Sequence, residues 1–307
     1  MLAAYIQQFL QERERDLARA SRRTYRMALE QFAQTCPVPL DQVQTLHVQV
    51  YLNSLRGRPF RHRSGKVIVP PAAPATYNLK RLALQQFFDW AKGRGYYPHP
   101  LPTQAIRPAR LPQKLPKDLD RLLLQRVLER AQKHSRRYAA LVRLLLECGL
   151  RAQELLDLCI QDIHISPEGS VLDIRSGKGS KPRSVALGDP LLWLLQEYLQ
   201  HERGVCGPTD PLFVSASRCP AFRGQKLTYD GLRHIILRLT ADEPGQQTPH
   251  QFRHSFATLL LDRGLAPEHI QHLLGHTTAA MTMRYTQRAN LRAAIAQSRQ
   301  VLDEGLL

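Results

Sequence analysis

The chain has 307 residues, with 43 Lys plus Arg against 26 Asp plus Glu, a formal charge of +17 at neutral pH. That length accommodates two domains with properly buried cores, and that charge suits a partner made of phosphates, a nucleic acid before all others. No apolar run is long enough to span a bilayer, MLAAYIQQFLQERERDLARA is charged from residue 11 onward and does not read as a signal peptide, and the five cysteines (Cys36, Cys148, Cys159, Cys206, Cys219) form no CxxC pair. A membrane-spanning protein and a disulfide scaffold are thereby excluded, and the expectation is a cytoplasmic protein with reduced thiols.

Hydrophobic spacing near 3.6 residues dominates the first hundred positions and predicts a helix from an N-cap at Ser21 to about Cys36, with Tyr25, Leu29 and Phe32 inward and Arg22, Arg23 and Arg26 turned away. A second spans Thr45 to Leu55, with Val48, Tyr51, Leu52 and Leu55 inward. A third runs from about Ala75 to Lys92, placing Leu79, Ala83, Phe87 and Trp90 on one stripe and Lys80 and Arg81 off it. Between the second and third, RGRPFRHRSGKVIVPP is basic and broken by Gly and Pro, as in an exposed loop or short hairpin. Six prolines between Pro98 and Pro116 forbid a helix interior and predict an extended basic linker. We expect domains over 1–107 and 118–307, with the Pro-rich linker at 108–117.

After the linker, LDRLLLQRVLERAQ and YAALVRLLLECGL are helical in pattern, then VLDIR and RSVAL alternate with period two around a Gly-rich turn, and the chain is helical again from Pro190. The predicted fold class is mainly α: an all-helical N-terminal domain, then a mostly helical domain with a small antiparallel β-sheet.

Four stretches of the second half could carry chemistry. In ECGLRAQELLDL, Arg151 has Glu154 one helical turn away, which alone is an ordinary ion pair. In SGKGSKPRSVAL, Lys178 sits between glycines at a hairpin tip; a phosphate loop of the Walker A kind is ruled out by spacing, leaving a solvated basic turn or a lysine free to enter a DNA groove. In TPHQFRHSFATLLL, His250 and Arg253 share one helix face and can address one phosphate. His250 and His254 mimic a zinc-protease pair, but Gln251 stands where that motif needs its glutamate. His269, His272 and His276 lie on or after one helix without an acidic companion. The fourth stretch, LLGHTTAAMTMRYT, puts Tyr285 nine residues beyond His276; taken singly, Tyr285 is a half-buried aromatic with its hydroxyl hydrogen-bonded.

Together these stretches resemble the tyrosine recombinases, the family of Xer recombinases and phage integrases. GLRAQEL matches the first arginine motif, GKGSKPR the hairpin lysine, HQFRH the His-x-x-Arg pair and LLGH the second histidine, with the tyrosine following at the family's spacing; SRRTYRMALEQF and LPQKLPK look like parts of the helical core-binding domain and its linker. The resemblance implies a core DNA-binding domain followed by a catalytic domain with a C-terminal docking helix. It implies a site-specific recombinase that cleaves and rejoins strands through a 3′-phosphotyrosine and exchanges them via a Holliday junction, with no cofactor, neither metal nor ATP. The implied catalytic set is Arg151, Lys178, His250, Arg253, His276 and Tyr285. Arg151 and Arg253 would clamp the scissile phosphate, Tyr285 would attack, His250 would take the phenolic proton, Lys178 would protonate the leaving 5′-oxygen and His276 would brace the phosphate. Arg22, Arg26, Lys80, Arg81, Lys181 and Arg183 are the expected DNA contacts. The partners implied are double-stranded DNA bearing a specific recombination site and further protomers in a synaptic tetramer, with or without a second recombinase, joined through the stripe Leu291, Ala294, Ile295, Ser298, Val301 and Leu302. Read without the resemblance, the residues leave open a type IB topoisomerase, a DNA-binding regulator with LAPEHIQHLLGHTTAAMTMRYT as its helix-turn-helix, and a zinc hydrolase built on HQFRH.

Overall fold

The computed structural model describes residues 2–17, 19–55, 72–112, 118–175, 182–217 and 219–276, and beyond them Thr282, Met283, Tyr285, Thr286, Asn290 and Ser298. The loop expected from Arg56, the hairpin tip with Lys178 and Lys181, and the C-terminal stripe other than Ser298 lie outside those residues. The chain divides into two compact units, Met1–Gln113 and Lys114–Leu307.

The first unit is helical: α1 (Leu2–Glu12), α2 (Arg19–Thr35), α3 (Thr45–Ser54) and α4 (Pro74–Gly93). Pro74 opens α4 at the position where a missing N–H costs nothing. The four apolar faces meet in an aromatic core in which Phe9, Phe32, Phe87 and Phe88 are fully buried and pack edge-on, for example Phe9 on Phe87 at 5.7 Å and Phe32 on Phe88 at 6.1 Å. Trp90 joins them and donates its indole N–H to Glu12 (2.8 Å). Two expectations shift here. Ser21 lies inside α2 instead of capping it, because the helix already includes Arg19. Leu79 is 41% exposed, while Ala83, Phe87 and Trp90 of the expected stripe are buried, joined by Tyr77, Leu84 and Phe88. The stretch expected as linker is fastened to α4 as far as Ala109: Asn78 exchanges hydrogen bonds with the Ala109 backbone (2.7 and 2.9 Å), and Arg81 donates to the Ile106 carbonyl (2.6 Å).

The second unit is built around α6 (Arg136–Glu147), whose Leu141, Val142, Leu144 and Leu145 are fully buried between α5 (Arg121–His134), α8 (Asp189–Tyr198) and α10 (Pro249–Asp262). Ser135 caps α6 by accepting from the Tyr138 N–H at 3.1 Å. A short α7 (Ala152–Asp157) follows, then an antiparallel sheet in the order β1 (Ile163–His164), β2 (Ser170–Ile174), β3 (Arg183–Leu187), with Leu172 opposite Val185. Alternation puts Leu172, Ile174, Val185 and Leu187 into the core. The described residues of 204–228 form no helix, contrary to the expectation that the chain is helical again from Pro190; isolated bridges such as Val214 with Lys226 hold that segment. α9 (Tyr229–Leu239) and α11 (Pro267–Leu274) follow. Among the described residues no helix is long and apolar enough to cross a membrane.

Candidate active site

The site begins at the turn between α6 and α7. Gly149 has φ +59°, and a Cβ built there would lie 2.3 Å from the Phe256 ring, so position 149 admits only glycine. The turn aims Arg151 back across α7, where its backbone N–H (2.8 Å) and its guanidinium (2.7 Å) both bond to Glu154. Glu154 is buried, and it also accepts both guanidinium nitrogens of Arg183 (3.0 and 2.8 Å) and stands 3.7 Å from Arg253. One carboxylate thus gathers three arginines from α10, β3 and the α6–α7 turn.

The same three arginines share a second set of acceptors. Arg183 donates to the carbonyl of Leu273 (2.6 Å), Arg253 to that of Leu274 (2.5 Å) and Arg151 to that of Gly275 (3.3 Å). These are consecutive carbonyls at the end of α11, which lack intrahelical partners and sit at the negative pole of the helix. Gly275 closes the helix in the left-handed conformation (φ +60°), and a Cβ there would press on Arg183 at 3.1 Å. The His276 N–H then returns to Gln271 O (3.1 Å), which fixes His276 at the rim of the arginine cluster.

Electrostatics follow from this packing. Burial opposes ionisation of Glu154, but the Arg183 hydrogen bonds and the Arg151 backbone N–H outweigh it and hold the carboxyl at about 2. Arg253, 1% exposed and bonded also to Gly149 O (2.7 Å), is pressed well below the usual guanidinium range by burial and by Arg151, though it stays charged at neutral pH. Burial and then Arg253, Arg151 and Arg183 depress His276 to about 4, so its ring is neutral at neutral pH. His250 shifts down for the same reasons, packing on its inner side and the Arg253 and Arg151 charges, although its outer face is open to solvent.

Tyr285 is 4% exposed, packed with Phe256, Ala257, Ile270 and Leu274. Its ring lies parallel to His276 (centroids 6.0 Å apart, 8° between planes), and its hydroxyl is 2.6 Å from Nδ1 of His254. His276 Nδ1 pairs with the Thr282 hydroxyl at 2.9 Å. A charge on Tyr285 would act on Arg253, so the phenol and that guanidinium share one site.

Of the six residues the sequence singles out for catalysis, Arg151, His250, Arg253, His276 and Tyr285 converge, and Lys178 lies outside the described residues. The phenolic hydroxyl rests on His254, where the sequence reading placed His250. Arg183, expected on DNA, is instead buried (side chain 7% exposed) and committed to Glu154 and Leu273. No sequence signal marks that role, since a basic residue in a basic hairpin reads as solvated. Among the other expected contacts, Arg22 is ion-paired with Glu14, Arg26 is exposed on α2, and Lys80 donates to Gln31 (2.6 Å) above the Tyr51 ring. Arg81 is half-buried on the Ile106 carbonyl. Lys181 lies outside the described residues. Among those residues His, Cys, Asp and Glu nowhere form a group of three or more fit to hold a metal ion.

A helical unit followed by a helical unit with a three-stranded sheet, its arginines, histidines and tyrosine drawn to one point, defines an integrase-type fold. Residues 117–292 match the phage integrase family, and the chain belongs to that family. It is 35% identical to the tyrosine recombinase XerD of Proteus mirabilis over 164 residues, 52% of this chain and 50% of that protein. It is 30% identical to the tyrosine recombinase XerC of Roseiflexus sp. (strain RS-1), covering 70% of this chain and 68% of that one. For most of the similar curated relatives the match spans little more than half of their length. Among solved structures, that of XerA recombinase is 26% identical with a TM-score of 0.51, covering 96% of this chain and 98% of that one. XerH recombinase bound to palindromic difH substrate in a post-cleavage complex shares the fold at a TM-score of 0.69 and 22% identity, over 94% and 82% of the two chains.

Proposed function

We propose that the protein is a site-specific DNA recombinase that cleaves and rejoins strands through a 3′-phosphotyrosine and exchanges them via a Holliday junction. The observation that carries this reading is the placement of the Tyr285 hydroxyl, held by a histidine of α10 within the electrostatic reach of the buried Arg253. Transfer at phosphorus requires a nucleophile, cations on the non-bridging oxygens and an acid for the leaving oxygen. Tyr285 is the nucleophile; Arg151 and Arg253 take the non-bridging oxygens; His250, open to solvent on the α10 face it shares with Arg253, and His276 bond to the phosphate. Lys178 is the acid, a role carried from its motif. The phosphotyrosine conserves the energy of the broken linkage, so rejoining draws on no ATP, and fixed guanidinium groups supply the charge that a metal would otherwise bring.

Support also comes from the family and from the likeness to a recombinase captured on its substrate DNA. The partner is duplex DNA with a specific recombination site, engaged by a tetramer of this chain alone or with a second recombinase, and the setting is the cytoplasm. The test is a library of nicked duplexes tiled from the genome that carries the gene, incubated in EDTA with wild type or Tyr285→Phe. A covalent adduct formed on particular duplexes by wild type alone is expected, with a four-protomer, two-duplex complex in native gels. An adduct from both proteins, or none on a duplex the protein binds, overturns the reading.

A further inference from the structure

His254 lies in the HQFRH stretch but at none of the six positions that the motifs assign. It follows Arg253 on α10 and lies one turn beyond His250, so the three side chains share one helix face. His250 packs edge-on against it, centroids 4.2 Å apart, which steadies the His254 ring. Its Nδ1 stands 2.6 Å from the Tyr285 hydroxyl, at the short end of the reach a general base needs, with the two rings tilted 50° at 5.3 Å. With the imidazole proton on Nε2, the phenol donates to the Nδ1 lone pair. Arg253 lies within electrostatic reach of the phenol, and His276 interacts with both rings. The parallel His276 ring confines the phenol from the side, with its own Nδ1 engaged by Thr282.

We infer that His254, instead of His250, accepts the phenolic proton of Tyr285 as that oxygen attacks the scissile phosphorus; the inference rests on the recombinase reading above. In the step, the O–H bond of Tyr285 breaks and its proton passes to Nδ1 of His254 while the tyrosyl oxygen bonds to phosphorus. The bond from phosphorus to the 5′-oxygen breaks, and that oxygen takes a proton from Lys178. Rejoining reverses both transfers, returning the proton from His254 to the phenol. His250 is thereby left to the phosphate.

The experiment is single-turnover adduct formation on a nicked duplex that wild type cleaves, comparing wild type with His254→Asn, whose side-chain oxygen can accept the hydrogen bond but cannot hold the proton. Each protein is made with tyrosine or with 2,3,5-trifluorotyrosine at position 285, the fluorinated phenol being acidic enough to attack without a base. Binding to the duplex by His254→Asn, read by gel shift, shows that the variant is folded. Expected is a slowing of about 10²- to 10⁴-fold in His254→Asn with tyrosine, most of it recovered with trifluorotyrosine, which leaves wild type little changed. A His254→Asn rate equal to wild type, or a loss of equal size with either phenol, overturns the inference. Absence of any adduct from wild type on every duplex that it binds overturns the recombinase reading itself and the inference with it.

Discussion

His276 is neutral in the folded protein because burial and three guanidinium groups push its pKa from 6.5 to about 4. The unfolded chain takes up that proton first. Between 6.5 and about 4 the unfolded state therefore binds more protons than the native one, and stability falls as the pH drops through that window. Thermal unfolding followed across it is expected to reveal a loss on the order of 1–3 kcal/mol that His276→Asn largely removes; an identical acid dependence in the variant would contradict the assignment. Single residues also show how far the sequence could be read. Arg151, Arg253, His276 and Tyr285 were legible because each sits in a motif with fixed spacing. The choice between His250 and His254 was not, since both point from one face of α10 and only the three-dimensional return of the chain 31 residues later puts the phenol on one of them. Arg183 was misread for a related reason: its partners, Glu154 and Leu273, are 29 and 90 residues away.

Among the elements, the α6–α7 turn and the end of α11 hold the site, and each depends on a glycine in the left-handed region. Gly149→Ala combines that backbone penalty with a methyl group driven into the Phe256 ring. The expected cost is about 2–4 kcal/mol, read as a lowered denaturant midpoint; an unchanged midpoint would show that α10 moves aside freely. Elements were the most legible level. Apolar periodicity located α2, α3 and α4 and both long strands, because burial of one face forces that pattern. It failed at the shoulder of α4, where Leu79 is apolar yet outside the core, and over residues 204–228, whose scattered apolar residues are held by isolated bridges without regular periodicity.

For the molecule as a whole, the surplus of 43 basic over 26 acidic residues sets the terms on which the proposed DNA partner would be bound. Affinity for duplex is expected to fall steeply with salt, on the order of 10³-fold or more between about 50 and about 200 mM if six or more phosphates are contacted; a flat dependence in a titration of a labelled duplex would point to recognition that does not use this charge. The chain divides into two compact units, and the fastening of residues 106–109 to α4 could not be read from the prolines, because it runs through one asparagine and one arginine with nothing in the local sequence to mark them. At the centre of the second unit, Glu154 offsets one of the three guanidinium charges it holds, which leaves a formal surplus of two among Arg151, Arg183 and Arg253. A phosphodiester brings one negative charge to that surplus, whereas the five-coordinate species through which a strand is cut or rejoined brings two. On the proposed recombinase reading, the acidic residue at the heart of a basic protein tunes the pocket to the fleeting dianion in preference to the intact backbone, so that the same balance of charge would speed the reaction in both directions.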